Sequence, residues 1–318
     1  MRVLITGAAG FIGSNTAQRL IDEGHEVVAL DNLARGRRDN VPTGATFVEA
    51  SCGDTSVIRR LGHFDACIHF AAFIEVAESM AEPEAFFENN VAASLRLFDA
   101  LIATGTPKVV FSSSAAVYGS VAVSPIDESA PTVPSSPYGE SKLMVERALG
   151  WLAQRGRLRS ASLRYFNAAG AGPDHGERHV PETHLIPLAI DAALGRRGPL
   201  QLFGTDYPTR DGTCVRDYVH VLDLVEAHIL AIDALDRHAA LTVNLGTGTG
   251  SSIREVIDSV ERVTALAVPF DVTERRPGDP AQAVASNALA REVLGWAPRH
   301  EALDTIVFDA YQARLAHS

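Results

Sequence analysis

The chain has 318 residues, 46% of them hydrophobic and 21% charged, with a formal net charge of −11. This is the composition of a globular protein of roughly two domains, and no apolar run reaches the ~18 residues of a membrane span. The negative charge argues against nucleic acid or an anionic membrane as partner, and three cysteines (Cys52, Cys67, Cys214) with neither a CxxC pair nor zinc-site spacing predict a reducing, cytoplasmic setting.

Residues 2–6 are apolar and β-branched, as in a buried parallel strand. Gly7, Gly10 and Gly13 then form a GxxGxxG loop that opens a helix over 11–21. Such glycines let the backbone turn tightly and approach a pyrophosphate, while the helix N-terminus supplies N–H donors. A glycine turn without a ligand has the same local pattern, so context decides. A second strand over 25–30 ends at Asp31, where a dinucleotide fold places the carboxylate that binds the adenosine ribose. Asp31 would repel a 2′-phosphate, which favours NAD over NADP. Arg35, Arg37 and Arg38 keep the other choice open and otherwise read as a solvated loop.

Strand and helix continue to alternate: a strand over 45–48, a short helix capped by Asp54 and ending near Leu61, and a strand over 65–70 that closes on Ala71 and Ala72. Phe87, Val91, Leu95 and Phe98 stand at helical spacing and predict one long helix over 83–103, followed by a strand over 108–112. The alternation predicts an α/β protein with a Rossmann-type, doubly wound parallel sheet. Ser112, Ser113 and Ser114 stand at the C-terminal end of that strand, where such folds bind ligands. Ser114 is a candidate to hydrogen-bond a substrate oxygen, although a turn or cap is the commoner use of serine.

Tyr138 and Lys142 are four residues apart on a helix that Ser136 caps and Pro137 starts, so their side chains share one face. A phenol is a poor base at pH 7, and a neighbouring ammonium favours its phenolate. The pair is a candidate proton-transfer device, against the plainer reading of two surface residues.

The glycine loop, Asp31-Asn32-Leu33, His69-Phe70-Ala71-Ala72, the serine triplet and Tyr138-x-x-x-Lys142 occur together and in order. The chain therefore resembles the extended short-chain dehydrogenase/reductase family. Further motifs are similar to those of its UDP-glucose 4-epimerase branch: Arg164-Tyr165-Phe166-Asn167, the stretch from Asp211 to Val221, Asn244-Leu245-Gly246-Thr247-Gly248, and Arg275-Arg276-Pro277-Gly278-Asp279. The resemblance runs from Val3 to about Trp296 and implies NAD-dependent 4-epimerisation of a UDP-sugar through a 4-keto intermediate. It implies Ser114, Tyr138 and Lys142 as the catalytic set. The NAD site would comprise Gly7, Gly10, Phe11, Ile12, Gly13, Asp31, Asn32, Asp54, Phe70, Ala71, Ala72, Asn89, Ser112, Tyr138, Lys142 and Tyr165. The UDP-sugar site would comprise Ser114, Phe166, Asn167, His184, Leu185, Phe203, Arg216, Arg276, Asp279 and Ala283. Arg216 and Arg276 suit diphosphate oxygens, and Phe203 offers an apolar face for uracil. Ala283 lies where a tyrosine restricts relatives to glucose and galactose, and a small residue there implies that N-acetylhexosamines are also accepted. A homodimer through the helices of the Tyr138 region is implied too.

Departures from the branch are Ile74-Glu75 where a lysine is frequent, His184 where asparagine is frequent, and Ala168 where proline is usual. A 4,6-dehydratase needs an acid pair where Ala115-Ala116 follow Ser114. A net reductase and a pentose or uronate epimerase stay open on the same scaffold. A non-enzymatic NAD-dependent sensor is weakened by the intact Ser114, Tyr138 and Lys142, which a sensor need not keep. Residues 1–165 read as the NAD-binding domain, with a helix over 222–236 and a strand over 241–244 returning to its sheet. Residues 166–318 read mainly as a smaller substrate-binding domain, with a Ser252/Glu255 capping box, a short helix ending at Leu294-Gly295-Trp296 and a last helix over 301–313. His175, His179 and His184 do not have the spacing of a recognised ligand set, so no metal is expected.

Overall fold

Strands and helices alternate through the first half of the computed structural model, which describes residues 1–120, 124–276 and 278–316. They are β1 (Arg2–Thr6), α1 (Phe11–Asp22), β2 (Glu26–Asp31), β3 (Thr46–Glu49), α2 (Thr55–Leu61), β4 (Ala66–His69), α3 (Val76–Ala81), α4 (Pro83–Phe86), α5 (Ala93–Ala103), β5 (Lys108–Ser114), α6 (Pro137–Gln154) and β6 (Arg159–Tyr165). The second half is built of β7 (Asn167–Ala169), α7 (Leu185–Ala193), β8 (Leu200–Phe203), β9 (Val215–Arg216), β10 (Tyr218–His220), α8 (Val221–Ala234), β11 (Ala240–Leu245), β12 (Ser251–Ser252), α9 (Ile253–Thr264), β13 (Phe270–Thr273), β14 (Gln282–Ala283), α10 (Ala288–Leu294) and α11 (Leu303–Ala316). Pro277 of the Arg275–Asp279 motif lies outside the described residues.

Seven strands form one parallel sheet in the order β11, β6, β5, β4, β1, β2, β3. The chain winds outward from β1 to β3 and then crosses back to β4. The C-terminal ends of β1 and β4 thus flank the crevice where doubly wound sheets bind ligands. Successive strand residues face opposite sides, so Val3 and Ile5 enter one core and Leu4 the other. The first core holds α1 and α8, the second α2, α5 and α6. Helix α8 packs into the first core, and β11 pairs β6 at the edge of the sheet. A third core, with Ile186, Ile190, Leu202, Val260 and Val307, lies among α7, α9, α11, β8 and β13. Residues 288–296 do not join it: Ala290, Leu294 and Trp296 pack into the first core, where the Trp296 indole donates to the Asp223 carbonyl at 2.8 Å.

Local capping signals act at the positions the sequence predicts. The Ser136 hydroxyl accepts from Gly139 N at 3.2 Å at the start of α6, and the Ser252/Glu255 capping box closes on α9. The helix over 83–103 is corrected. A π-helical turn, Phe87–Ala92, separates α4 from α5. Such a turn rotates the residues beyond it relative to a regular helix, and here it presents Asn89 to the cleft and Asn90 to α6. Six-residue α3 is too short to show a helical period in the sequence.

Candidate functional site

The crevice end of β1 is shaped by glycines that no other residue can replace. Gly7 has φ +71°, and a Cβ there would stand 2.6 Å from the Ala71 nitrogen. A Cβ on Gly13 would stand 2.2 Å from the Gly7 carbonyl oxygen. Gly7 and Gly13 thus let the backbone pack closely here, and Gly10 caps α1 without a side chain, an arrangement that fits a pyrophosphate at the helix N-terminus. At the end of β2 the buried Asp31 carboxylate accepts from Ala9 N at 3.0 Å and Leu33 N at 2.8 Å. Burial pushes its carboxyl above the ordinary range, with these two donors opposing. Arg35 pairs with Glu78, Arg37 with Asp39 at 3.2 Å, and Arg38 lies over Phe47. All three arginines thus have partners within the protein, which fits NAD better than a 2′-phosphorylated dinucleotide.

One cleft gathers most of the expected residues. Gly7, Gly10, Phe11, Ile12, Gly13, Asp31, Asn32, Phe70, Ala71, Ala72, Asn89, Ser112 and Tyr165 line it together with Ser114, Tyr138, Lys142, Phe166, Asn167 and His184. Ser51, Cys52, Phe73, Glu177 and His179 line it as well and were not expected at a ligand site. They lie in loops, where sequence periodicity gives no signal. Asp54 is not in the lining. Its exposed carboxylate accepts from Ser56 N at 3.0 Å and Val57 N at 3.1 Å, serving as the cap of α2. Leu185, Phe203, Arg216, Arg276, Asp279 and Ala283 also lie outside it.

At the centre, Tyr138 and Ser114 line the cleft together, and the Ser114 hydroxyl accepts from Ala116 N at 3.2 Å. Ser114 thus caps the turn that follows β5 while lining the cleft. The Lys142 ammonium donates to the Ser112 carbonyl at 2.8 Å and lies 5.9 Å from the centre of the Tyr138 ring. The lowering expected from the lysine meets an opposing effect in the packed site. Burial raises the Tyr138 phenol, Ser114 opposes, and Glu75 raises it further. Burial also pulls Lys142 down to about 7, with Glu146 opposing. Both groups lose water, and for each the charged form suffers.

Glu146 stands one further turn along the same face of α6. It forms a two-pronged pair with Arg164 of β6, Nε to Oε1 at 2.9 Å and Nη2 to Oε2 at 2.6 Å, with both side chains over nine-tenths buried. Ser113 of β5 donates to the same carboxylate, and Arg164 reaches the Tyr118 hydroxyl at 2.9 Å. The helix carrying Tyr138 and Lys142 is thereby tied to both strands beneath it. From the other side, Asn90 donates to the Ser141 hydroxyl at 3.0 Å and to the Phe73 carbonyl at 3.0 Å, and accepts from Phe73 N at 2.8 Å. The π-helical turn is what places this asparagine between α6 and the 70–75 loop.

A second group lies in the other body. Arg216 and Asp279 pair at 3.3 Å, and Arg216 also donates to the Val215 and Pro280 carbonyls at 2.9 Å each. Ala283 on β14 is the register partner of Arg216 on β9. Arg276 stacks 3.9 Å over the Phe203 ring, so one face of that ring is covered by a guanidinium. Near the cleft wall, Glu177 pairs with His179 and Glu182 with His184, the latter at 2.9 Å. These carboxylates raise His184 to about 9 against its burial.

Residues 3–246 match the NAD dependent epimerase/dehydratase family. The chain is 48% identical to a UDP-glucose 4-epimerase of Azospirillum brasilense, over 97% of this chain and 90% of that protein. Among solved structures it is similar to UDP-glucose 4-epimerase from Brucella ovis in complex with NAD, with TM-score 0.95, 45% identity, and 98% and 97% of the two chains covered. It is also similar to the UDP-glucose-4-epimerase from Stenotrophomonas maltophila with bound NAD and formylated UDP-arabinopyranose, with TM-score 0.96, 40% identity, and 100% and 98% covered.

Proposed function

The chain belongs to the NAD dependent epimerase/dehydratase family and is an isomerase that epimerises UDP-sugars at C4 with NAD; on that premise we propose how its own residues divide the work. The observation that carries the assignment is the convergence of Ser114, Tyr138 and Lys142 on the cleft that the glycine loop and Asp31 also line. NAD, when bound, supplies a hydride acceptor that can return the hydride. Tyr138 as phenolate takes the sugar 4-hydroxyl proton as the C4 hydride departs, and gives the proton back when hydride returns to the other face of the 4-keto sugar. Lys142, 5.9 Å from the Tyr138 ring, supports the phenolate by charge, and the Ser114 hydroxyl favours the same form. The cycle is redox-neutral, so NAD stays bound between turnovers.

Arg216, Arg276, Phe203 and Asp279 lie in the second body and are proposed to hold the UDP moiety. The small Ala283 beside Arg216 leaves room for an acetamido group, so the proposed range includes UDP-glucose with UDP-galactose and UDP-N-acetylglucosamine with UDP-N-acetylgalactosamine. Val76 and Met80 of α3, Leu95 of α5 and Met144 and Trp151 of α6 are exposed, Met80 by 61% and Trp151 by 65%. Apolar residues on neighbouring helices suit a helix-to-helix homodimer. No helix of the described residues is long and apolar enough to cross a membrane, and all three cysteines are free and buried, which supports the cytoplasmic reading.

The test is to incubate the purified protein with UDP-galactose and with UDP-N-acetylgalactosamine, adding no cofactor, and to identify the products. Both gluco epimers are expected. Turnover that requires and consumes added dinucleotide would overturn the reading.

A further inference from the structure

The sequence spacing of Glu177, His179, Glu182 and His184 matches no familiar ligand set, yet the loop before α7 folds so that they meet. One ligand atom from each of Glu177, His179 and His184 lies within 4.8 Å of the other two. The imidazole rings are 5.4 Å apart, and His184 Nδ1 is 3.8 Å from Glu177 Oε2. Zinc takes imidazole nitrogen and carboxylate oxygen at about 2.0–2.2 Å, so side-chain rotation that draws these three donors together would let them hold one ion.

We propose that Glu177, His179 and His184 form a binding site for a divalent transition-metal ion of the zinc type in the wall of the sugar-binding cleft. The donor set is the chemical argument: two imidazoles and a carboxylate suit zinc and its neighbours and not the oxygen-seeking magnesium or calcium. Glu182, largely buried, accepts from the His184 ring at 2.9 Å and so orients that imidazole from outside the three-residue set. Three protein ligands leave a coordination position open, as in zinc sites that hold water or substrate. Glu177, His179 and His184 line the same cleft as Tyr138, Phe166 and Asn167. An ion there occupies space in which the 4-keto sugar must turn over, so the metal acts as a reversible inhibitor competing with UDP-sugar; that consequence rests on the epimerase reading, while binding itself does not.

The holoenzyme, freed of metal with a chelator, is titrated with zinc against a chromophoric competitor. One equivalent per chain is expected, with affinity reduced at least about tenfold in Glu177→Gln and in His184→Asn. NAD content and thermal unfolding confirm that each variant is folded, and either variant suffices if the other fails to fold. Zinc should slow epimerisation of UDP-galactose, and rising UDP-galactose should relieve the inhibition. Absence of stoichiometric binding, or equal affinity in the folded variants, would overturn the site. Binding without inhibition of an active enzyme would overturn its placement in the sugar path. A protein that is inactive even without zinc but still binds one equivalent would sink the epimerase reading and leave the metal site standing.

Discussion

Replacing Glu146 by glutamine tests whether the buried pair beneath α6 positions the helix only, or also supports the charge on Lys142. Glu146 and Arg164 are both over nine-tenths buried, so solvent screens their attraction little. Removing one partner of such a pair costs about 3–5 kcal/mol, because the arginine is left charged and under-compensated. Glu146→Gln should therefore lower the unfolding free energy by an amount in that range, read from urea denaturation with NAD present. The electrostatic consequence is separate. Lys142 sits at about 7, pulled down by burial and held up by Glu146. Without the carboxylate it loses its proton at lower pH. Charged Lys142 is present below its pKa and lost as pH rises through it, so the alkaline limb of kcat against pH should move toward acid. Above that pKa, each further unit of lowering divides the charged fraction by about ten. The double variant Glu146→Leu/Arg164→Met removes both charges and should recover much of the stability, as apolar replacement of buried pairs often does. It should not recover the pH profile. A Glu146→Gln enzyme that is less stable but keeps the wild-type pH profile would refute the electrostatic role.

Four other outcomes are expected. Denaturing the purified protein should release NAD, seen by absorbance and chromatography, because the redox cycle closes; finding none would count against retained cofactor. Tyr138→Phe should keep fold and NAD yet lose about 10²–10⁴-fold in kcat, the usual contribution of positioned proton transfer, and near-wild-type rates would move the base elsewhere. Ala283→Tyr should selectively remove turnover of the N-acetylhexosamine pair, since overpacking costs roughly 1–3 kcal/mol; equal turnover of both sugar pairs in the variant would end the size-gate idea. Trp151→Glu combined with Met80→Glu should give a monomer by sedimentation, and an unchanged dimer would place the interface on another face.

Much of the fold and the centre of the site is legible in the sequence, because those features depend on neighbours in the chain. An i,i+4 spacing sets Tyr138 and Lys142 on one helix face whatever surrounds them, and Ser136 and Ser252 cap the helices that follow through bonds spanning three residues. The β-branched runs and the glycine loop likewise announce β1 and the turn into α1. What only the tertiary structure decided involves residues far apart in the chain or a balance of burial. Asn90 bridges α6 and the 70–75 loop because a π-helical turn interrupts what reads as one helix. Trp296 leaves the C-terminal body for the sheet's core, where the Asp223 carbonyl accepts a hydrogen bond from its indole N–H. Glu146 meets Arg164 only because β6 lies under α6, and Phe203 is covered by an arginine far along the chain. The phenol of Tyr138 shows the same limit in its chemistry. Spacing places a cation nearby, but the loss of water around both groups sets the direction of their pKa values, and burial is a property of the packed molecule rather than of any stretch of sequence.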